Sequence, residues 1–150
     1  MSAAPRCLVV GYDRTESARG AARWAARELA PDGKLVIVHA SRSQHAPASP
    51  LTTKEERREL ARALIDELLL ESEDSLFDLQ VVAEISDSDP AHALTHAAIE
   101  HRAHAIVIGT EQHSALHRAV GTVTTELLRS SPVAVVAVPS EEALARARAS

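Results

Sequence analysis

The sequence predicts an α/β domain, a parallel sheet with helices on both faces, and three observations predict it. Five short apolar runs alternate with amphipathic stretches along the 150 residues, the pattern of strand–helix–strand units rather than of separate α and β domains. Three of these runs, Cys7–Gly11, Leu35–Ala40 and Ala105–Ile108, are continuous rather than alternating, as expected of strands covered on both sides. The length suits one core, because a chain of this size buries roughly 70% of its unfolded surface on folding.

The first strand, Cys7–Gly11, runs into Asp13-Arg-Thr-Glu16, where a carboxylate and a hydroxyl mark a helix start. Ala21, Ala22, Trp24, Ala25 and Leu29 form the apolar side of that helix, and Pro31-Asp-Gly33 stops it. The second strand is Leu35–Ala40. A loop rich in Ser and Pro, Ser41–Leu51, follows it as a surface insertion or a lid. Thr53-Lys-Glu-Glu56 is a capping box, and Leu60, Leu64 and Leu68 with Ala61 and Ile65 make one helical stripe behind it.

The third strand, Leu79–Ile85, carries Gln80 and Glu84 and so belongs nearer a sheet edge. Asp89-Pro90 puts a capping side chain before a proline at the first helical position, with Leu94, Ala97 and Ala98 facing inward. The fourth strand, Ala105–Ile108, ends in Gly109. A helix is expected from about Thr122 to Arg129, stopping before Pro132, and the fifth strand is Val133–Val138. The tail Glu141–Ser150 has helix-forming composition but little apolar surface and is expected to fray or stay disordered. One domain therefore covers residues 1–150, with its core at about 6–139.

Composition excludes several classes of function. Net charge is −5 with histidine neutral, and the chain has no long basic run, so no bulk field attracts a nucleic-acid backbone. Aromatic residues make up 2% of the chain, too few for a single-stranded nucleic-acid groove that works by stacking. Neither a signal-peptide pattern nor an apolar run approaching 18 residues is present, so we expect a cytoplasmic protein without a membrane partner. The single Cys7 has no intrachain partner, fits a reducing compartment and reads as a small buried hydrophobe.

Candidate chemistry gathers where strands end. Asp13 lies just past the first strand, where doubly wound sheets place ligand-binding groups, and it serves equally as a helix cap. Gly11 before it lets the chain turn. Gly109 lets a ligand approach the backbone, and Gly121-Thr122 at the start of the last helix offers N–H donors to an anion. His39 at the end of the second strand is expected to be hydrogen-bonded structure at the cleft edge. His92 and His96 share a helix face, as would His113 and His117 if their loop were helical, but neither pair has a third ligand at fixed spacing, and no metal is expected. No nucleophile elbow, Walker loop or HExxH pair occurs, so no catalytic residue is assigned and the chain is not expected to be an enzyme.

Val9-Val10-Gly11-Tyr12-Asp13, the stretch Ser17 to Ala25 with Trp24, Val38-His39-Ala40, and Ala105 to Gly109 followed by Pro132 to Val136 together resemble a universal stress protein domain over nearly the whole chain. The resemblance implies a single-domain, Rossmann-like sheet of five parallel strands in the order 3-2-1-4-5. It also implies a cytoplasmic protein of stress physiology and a homodimer joined through Val133–Val138. ATP-binding members share a loop G-x2-G-x9-G-[S/T]. Gly109 and Gly121-Thr122 match its ends, but Gln112 replaces the second glycine, and only the eight residues His113–Val120 separate it from Gly121. Ser88 replaces a further family glycine.

By resemblance the nucleotide pocket comprises Asp13, Ala40, Gly109, Gly121, Thr122 and Val123, with His113, His117 and Arg118 available to face an anion. The resulting expectation is a non-catalytic stress-response domain acting as a homodimer, with a degenerate adenine-nucleotide cleft and protein partners that the sequence does not identify. The alternatives are an ATP-binding stress protein with slow hydrolysis and a small nucleotide-processing enzyme. The second lacks the basic cluster and metal-binding carboxylates of phosphoryl chemistry.

Overall fold

The computed structural model describes residues 6–40, 53–71, 78–110 and 117–149. In chain order the elements are β1 (Cys7–Gly11), α1 (Glu16–Leu29), β2 (Lys34–Ala40), α2 (Lys54–Glu71), β3 (Gln80–Ser86), α3 (Pro90–Glu100), β4 (Ala105–Thr110), α4 (His117–Ser130), β5 (Ala134–Pro139) and α5 (Glu141–Ala149). The strands form one sheet in the order β3-β2-β1-β4-β5, and every neighbouring pair is parallel. Glu84 and Gln80 lie on an edge strand, as their polarity predicts. The loop Ser41–Leu51, together with Gln112 and His113, lies outside the described residues.

Alternation along the strands divides the core into two layers. Leu8, Val10, Leu35, Ile37 and Val107 point to the face covered by α1 and α2, where they meet the alanines of α1 and Leu64 and Leu68 of α2. Val9, Val36, Ile106 and Ile108 point the other way, onto Leu94, Ala97 and Ala98 of α3 and Leu127 of α4. The side of α1 that faces the sheet consists mainly of Ala18, Ala21, Ala22, Ala25 and Ala26, all buried. Such short side chains let the helix axis sit close to the strands. With so few aromatic rings, this core fills its space by close backbone approach rather than by bulk.

Local signals account for most boundaries. At α2 the capping box is formed in both directions: Thr53 N–H donates to Glu56 Oε2 at 2.7 Å, and Glu56 N–H donates to Thr53 Oγ1 at 3.2 Å. α3 opens with Pro90 after Asp89, but the Asp89 side chain makes no capping bond there, so proline's fixed φ sets this start.

Three expectations need correction. The last helix begins at His117 rather than near Thr122, so Gly121 and Thr122 occupy its second turn. The segment after residue 139 is helical, held by buried Ala143 and by an ion pair of Glu141 with Arg23 of α1 at 3.6 Å. Gly11 does not make the sharp turn after β1. No glycine among the described residues has positive φ, whereas Arg14 adopts the left-handed region at φ 67°.

Candidate functional site

The chain winds outward from β1 through β2 to β3, then returns to place β4 and β5 on the other side of β1. The carboxyl ends of β1 and β4 therefore diverge at a topological switch point, where open α/β sheets hold their ligands. A cleft of about 300 Å³ lies there, its wall including Asp13, Ser17, Ala40, Gly109 and Val123. Val38, Leu94 and Ile108 give it an apolar floor, and Thr124 adds a hydroxyl from α4.

The β1 rim is fixed by hydrogen bonds that begin at Tyr12. Its N–H donates to the Val38 carbonyl at 2.9 Å, and its own carbonyl accepts from His39 Nδ1 at 2.9 Å. A carbonyl can only accept, so the His39 ring proton sits on Nδ1. His39 is thus a structural partner of the rim, as the sequence suggests. One residue further on, Asp13 Oδ1 accepts from the Thr15 N–H at 3.1 Å and from the Thr15 hydroxyl at 2.5 Å.

The same Thr15 hydroxyl oxygen accepts from Ala18 N–H at 3.2 Å and so caps α1. Asp13 therefore acts on the helix through Thr15 while its exposed carboxylate stands at the cleft mouth. Arg14, between them, takes the left-handed conformation and pairs with Glu67 of α2 at 3.3 Å.

Across the cleft, Gly109 packs against the first turn of α1. A Cβ placed on Gly109 would come closer than 3.0 Å to the carbonyl oxygen and hydroxyl of Ser17, a separation that packed atoms do not tolerate. The glycine thus has a structural requirement independent of any ligand. The Ser17 hydroxyl is itself buried and has no hydrogen-bond partner among the described residues. Sequence reasoning gave Ser17 no role. Its proximity to Gly109 is a tertiary contact that no local pattern announces.

Of the six pocket residues read from the sequence, the structure brings Asp13, Ala40, Gly109 and Val123 to one cleft. Gly121 and Thr122 belong to α4, but a second-turn N–H is engaged by the carbonyl four residues back. The donors expected of them belong instead to the first turn, which starts at His117. His117 and Arg118 are part of that turn.

The model for the universal stress protein family matches residues 6–139. The chain belongs to this family. Among similar solved structures, a universal stress protein in complex with cAMP shares 23% identity at a TM-score of 0.60, over 93% of this chain and 100% of its own. A family member from Arabidopsis thaliana with AMP bound shares 16% identity at a TM-score of 0.60, over 91% and 93% of the two chains. The universal stress protein of Archaeoglobus fulgidus in complex with dAMP shares 20% identity at a TM-score of 0.57, over 89% and 97%. A search of curated protein sequences finds no match. These likenesses establish the shared fold, with its sheet order 3-2-1-4-5. No helix among the described residues is long and apolar enough to cross a membrane.

Proposed function

We propose that this stress protein is a non-catalytic, homodimeric stress-response domain whose cleft takes an adenine mononucleotide in preference to ATP. The observation that carries this reading is the convergence of Asp13, Ala40, Gly109 and Val123 on one cleft of about 300 Å³ at the switch point. That volume is at the small end of ligand clefts, which run from roughly 300 to 1,000 Å³. Structural relatives carry cAMP, AMP and dAMP, which supports a ligand of this size.

The triphosphate arm is what the chain has lost. Gln112 stands where ATP-binding relatives have a glycine, and the stretch to Gly121 is one residue short. A side chain replaces the open backbone on which phosphates would lie. The occupied carboxylate of Asp13, held by Thr15, favours binding over proton transfer.

Calorimetric titration of the full chain with AMP, cAMP and ATP tests the reading. AMP or cAMP should bind more tightly than ATP, and a phosphate-release assay with ATP should show no turnover. No heat from AMP or cAMP at millimolar concentration would remove the nucleotide, and phosphate release would restore the hydrolytic alternative.

A further inference from the structure

Between α3 and the edge strand β3, outside the switch-point cleft, lies a second cavity of about 460 Å³ whose wall includes Glu84, Ser86, His92, His96 and Glu100. His92, His96 and Glu100 follow one another at four-residue steps along α3, so they share one face. Glu84 of β3 meets that face.

Glu84, Glu100 and His101 each offer a donor atom, and the three atoms lie within 4.8 Å of one another. His96 Nδ1 is 3.6 Å from Glu100 Oε2. His101 Nε2 is 2.5 Å from Glu84 Oε1, and His101 Nδ1 is 3.0 Å from Lys34 Nζ. An ammonium can only donate, so Nδ1 accepts from Lys34, and the ring proton resides on Nε2, directed at Glu84.

The geometry points to a binding site for a divalent transition cation of the zinc class, with Glu84, Glu100 and His101 as ligands and His96 completing the set. Four-coordinate zinc has metal–ligand distances of about 2.0–2.2 Å, which corresponds to donors about 3.4 Å apart around a tetrahedron. The donor atoms of Glu84, Glu100 and His101, within 4.8 Å of one another, close to that spacing around the cation, and His96 approaches from beside Glu100. The cation takes the position of the His101 Nε2 proton, which leaves to solvent, and the short contact between Glu84 and His101 opens to admit it.

Two features favour a cation here. Glu84 and Glu100 bring two carboxylates to the cluster, and His101 is the C-cap of α3, where the helix dipole is negative. Nitrogen donors mixed with carboxylates suit zinc, cobalt or nickel better than magnesium or calcium, which prefer all-oxygen shells. Lys34 opposes binding. A metal-bound histidine normally donates its other N–H to an acceptor, so the ammonium must swing away from Nδ1 when the cation enters.

Titration of the full chain with Zn²⁺, followed by competition against a zinc-binding dye, reads this site without reference to nucleotide. One equivalent should bind. Glu100→Gln, which changes an exposed side chain, should weaken binding at least tenfold, as should Glu84→Gln. Lys34→Met, which keeps the aliphatic stem and removes the charge, should tighten it severalfold. Mg²⁺ at the same concentration should give no saturable signal. Absence of saturable Zn²⁺ binding would overturn the proposal, as would binding that persists undiminished in the Glu84→Gln/Glu100→Gln double variant, since other surface histidines would then be the ligands.

Discussion

Gly109 at the end of β4 lies directly against Ser17 in the first turn of α1, so closely that no Cβ fits between them. This contact seats α1 at the depth where its alanine face reaches the sheet. A Gly109→Ala substitution should therefore destabilise the ligand-free protein by about 1–3 kcal/mol, the range for overpacking a filled core. Urea unfolding measures it. An unchanged midpoint would mean that the glycine serves only ligand access.

Ser17 leads to the opposite sign. Its buried hydroxyl lacks a partner among the described residues, and a polar group removed from water without a hydrogen bond costs on the order of 1–3 kcal/mol. Ser17→Ala should accordingly raise stability by about 1 kcal/mol, part of that cost being replaced by lost packing. A lowered unfolding midpoint would indicate that the hydroxyl is satisfied in solution. Nucleotide affinity measured alongside shows whether a ligand uses it.

Asp13 and Thr15 form one unit, because the threonine hydroxyl donates to Asp13 and accepts from Ala18. Thr15→Ala should cost about 1 kcal/mol, the usual loss of a helix cap. Asp13→Ala should cost less in stability but weaken AMP binding. A double-mutant cycle should be non-additive in stability, as expected for residues sharing one hydrogen-bond chain. Equal stability losses with no change in AMP affinity would reduce Asp13 to a structural role.

Strand positions were legible because buried parallel strands are continuous apolar runs, and the capping box of α2 is a local signal that the fold leaves intact. The start of α4 was not legible. Leu116, immediately before His117-Arg-Ala-Val120, is a poor N-cap residue, whereas Gly121-Thr122 imitates a start. Strand ends marked Asp13 and Gly109 as candidates, and the family resemblance added Ala40 and Val123; all four line the cleft. Ser17 escaped because its significance depends on a neighbour more than ninety residues away in sequence. Glu84 escaped as a partner of His101 because a strand residue and a helix cap share no periodicity.

Cys7 gives a prediction in pH. Burial pushes its thiol above the ordinary value, with the nearby Lys34 charge pulling partly the other way. The folded state then holds the thiol proton more tightly than the unfolded chain. This contribution to stability is fully present below the unfolded thiol's pKa and is lost as pH rises through the folded one. On the alkaline side, wild-type stability should fall more steeply than that of Cys7→Ala. Parallel alkaline limbs for the two proteins would contradict the assignment. Reaction with a thiol reagent at neutral pH should also be slow until the protein unfolds.

The exposed flank of β5 bears on assembly. β4 satisfies one side of the strand through the register Ala105↔Ala134 to Thr110↔Pro139, while β5 is the last strand of the sheet on that side. An apolar edge strand leaves backbone N–H and C=O groups in a row that templates pairing with another copy, and a two-fold axis closes such pairing into a dimer. Pro139 ends the strand and would limit such a contact, since proline cannot donate to a ladder.

Sedimentation at micromolar concentration should therefore show a dimer. Ala137→Lys should shift it to monomer, because Ala137 is exposed in the single chain and a lysine there would put two like charges into a seam closed by a two-fold axis. Ala137→Ser keeps the position small and uncharged, and it should remain dimeric. If wild type and both variants all sediment as monomers, β5 is a bare edge and the homodimer is wrong. If Ala137→Lys stays dimeric with unchanged affinity, the chain assembles through another face.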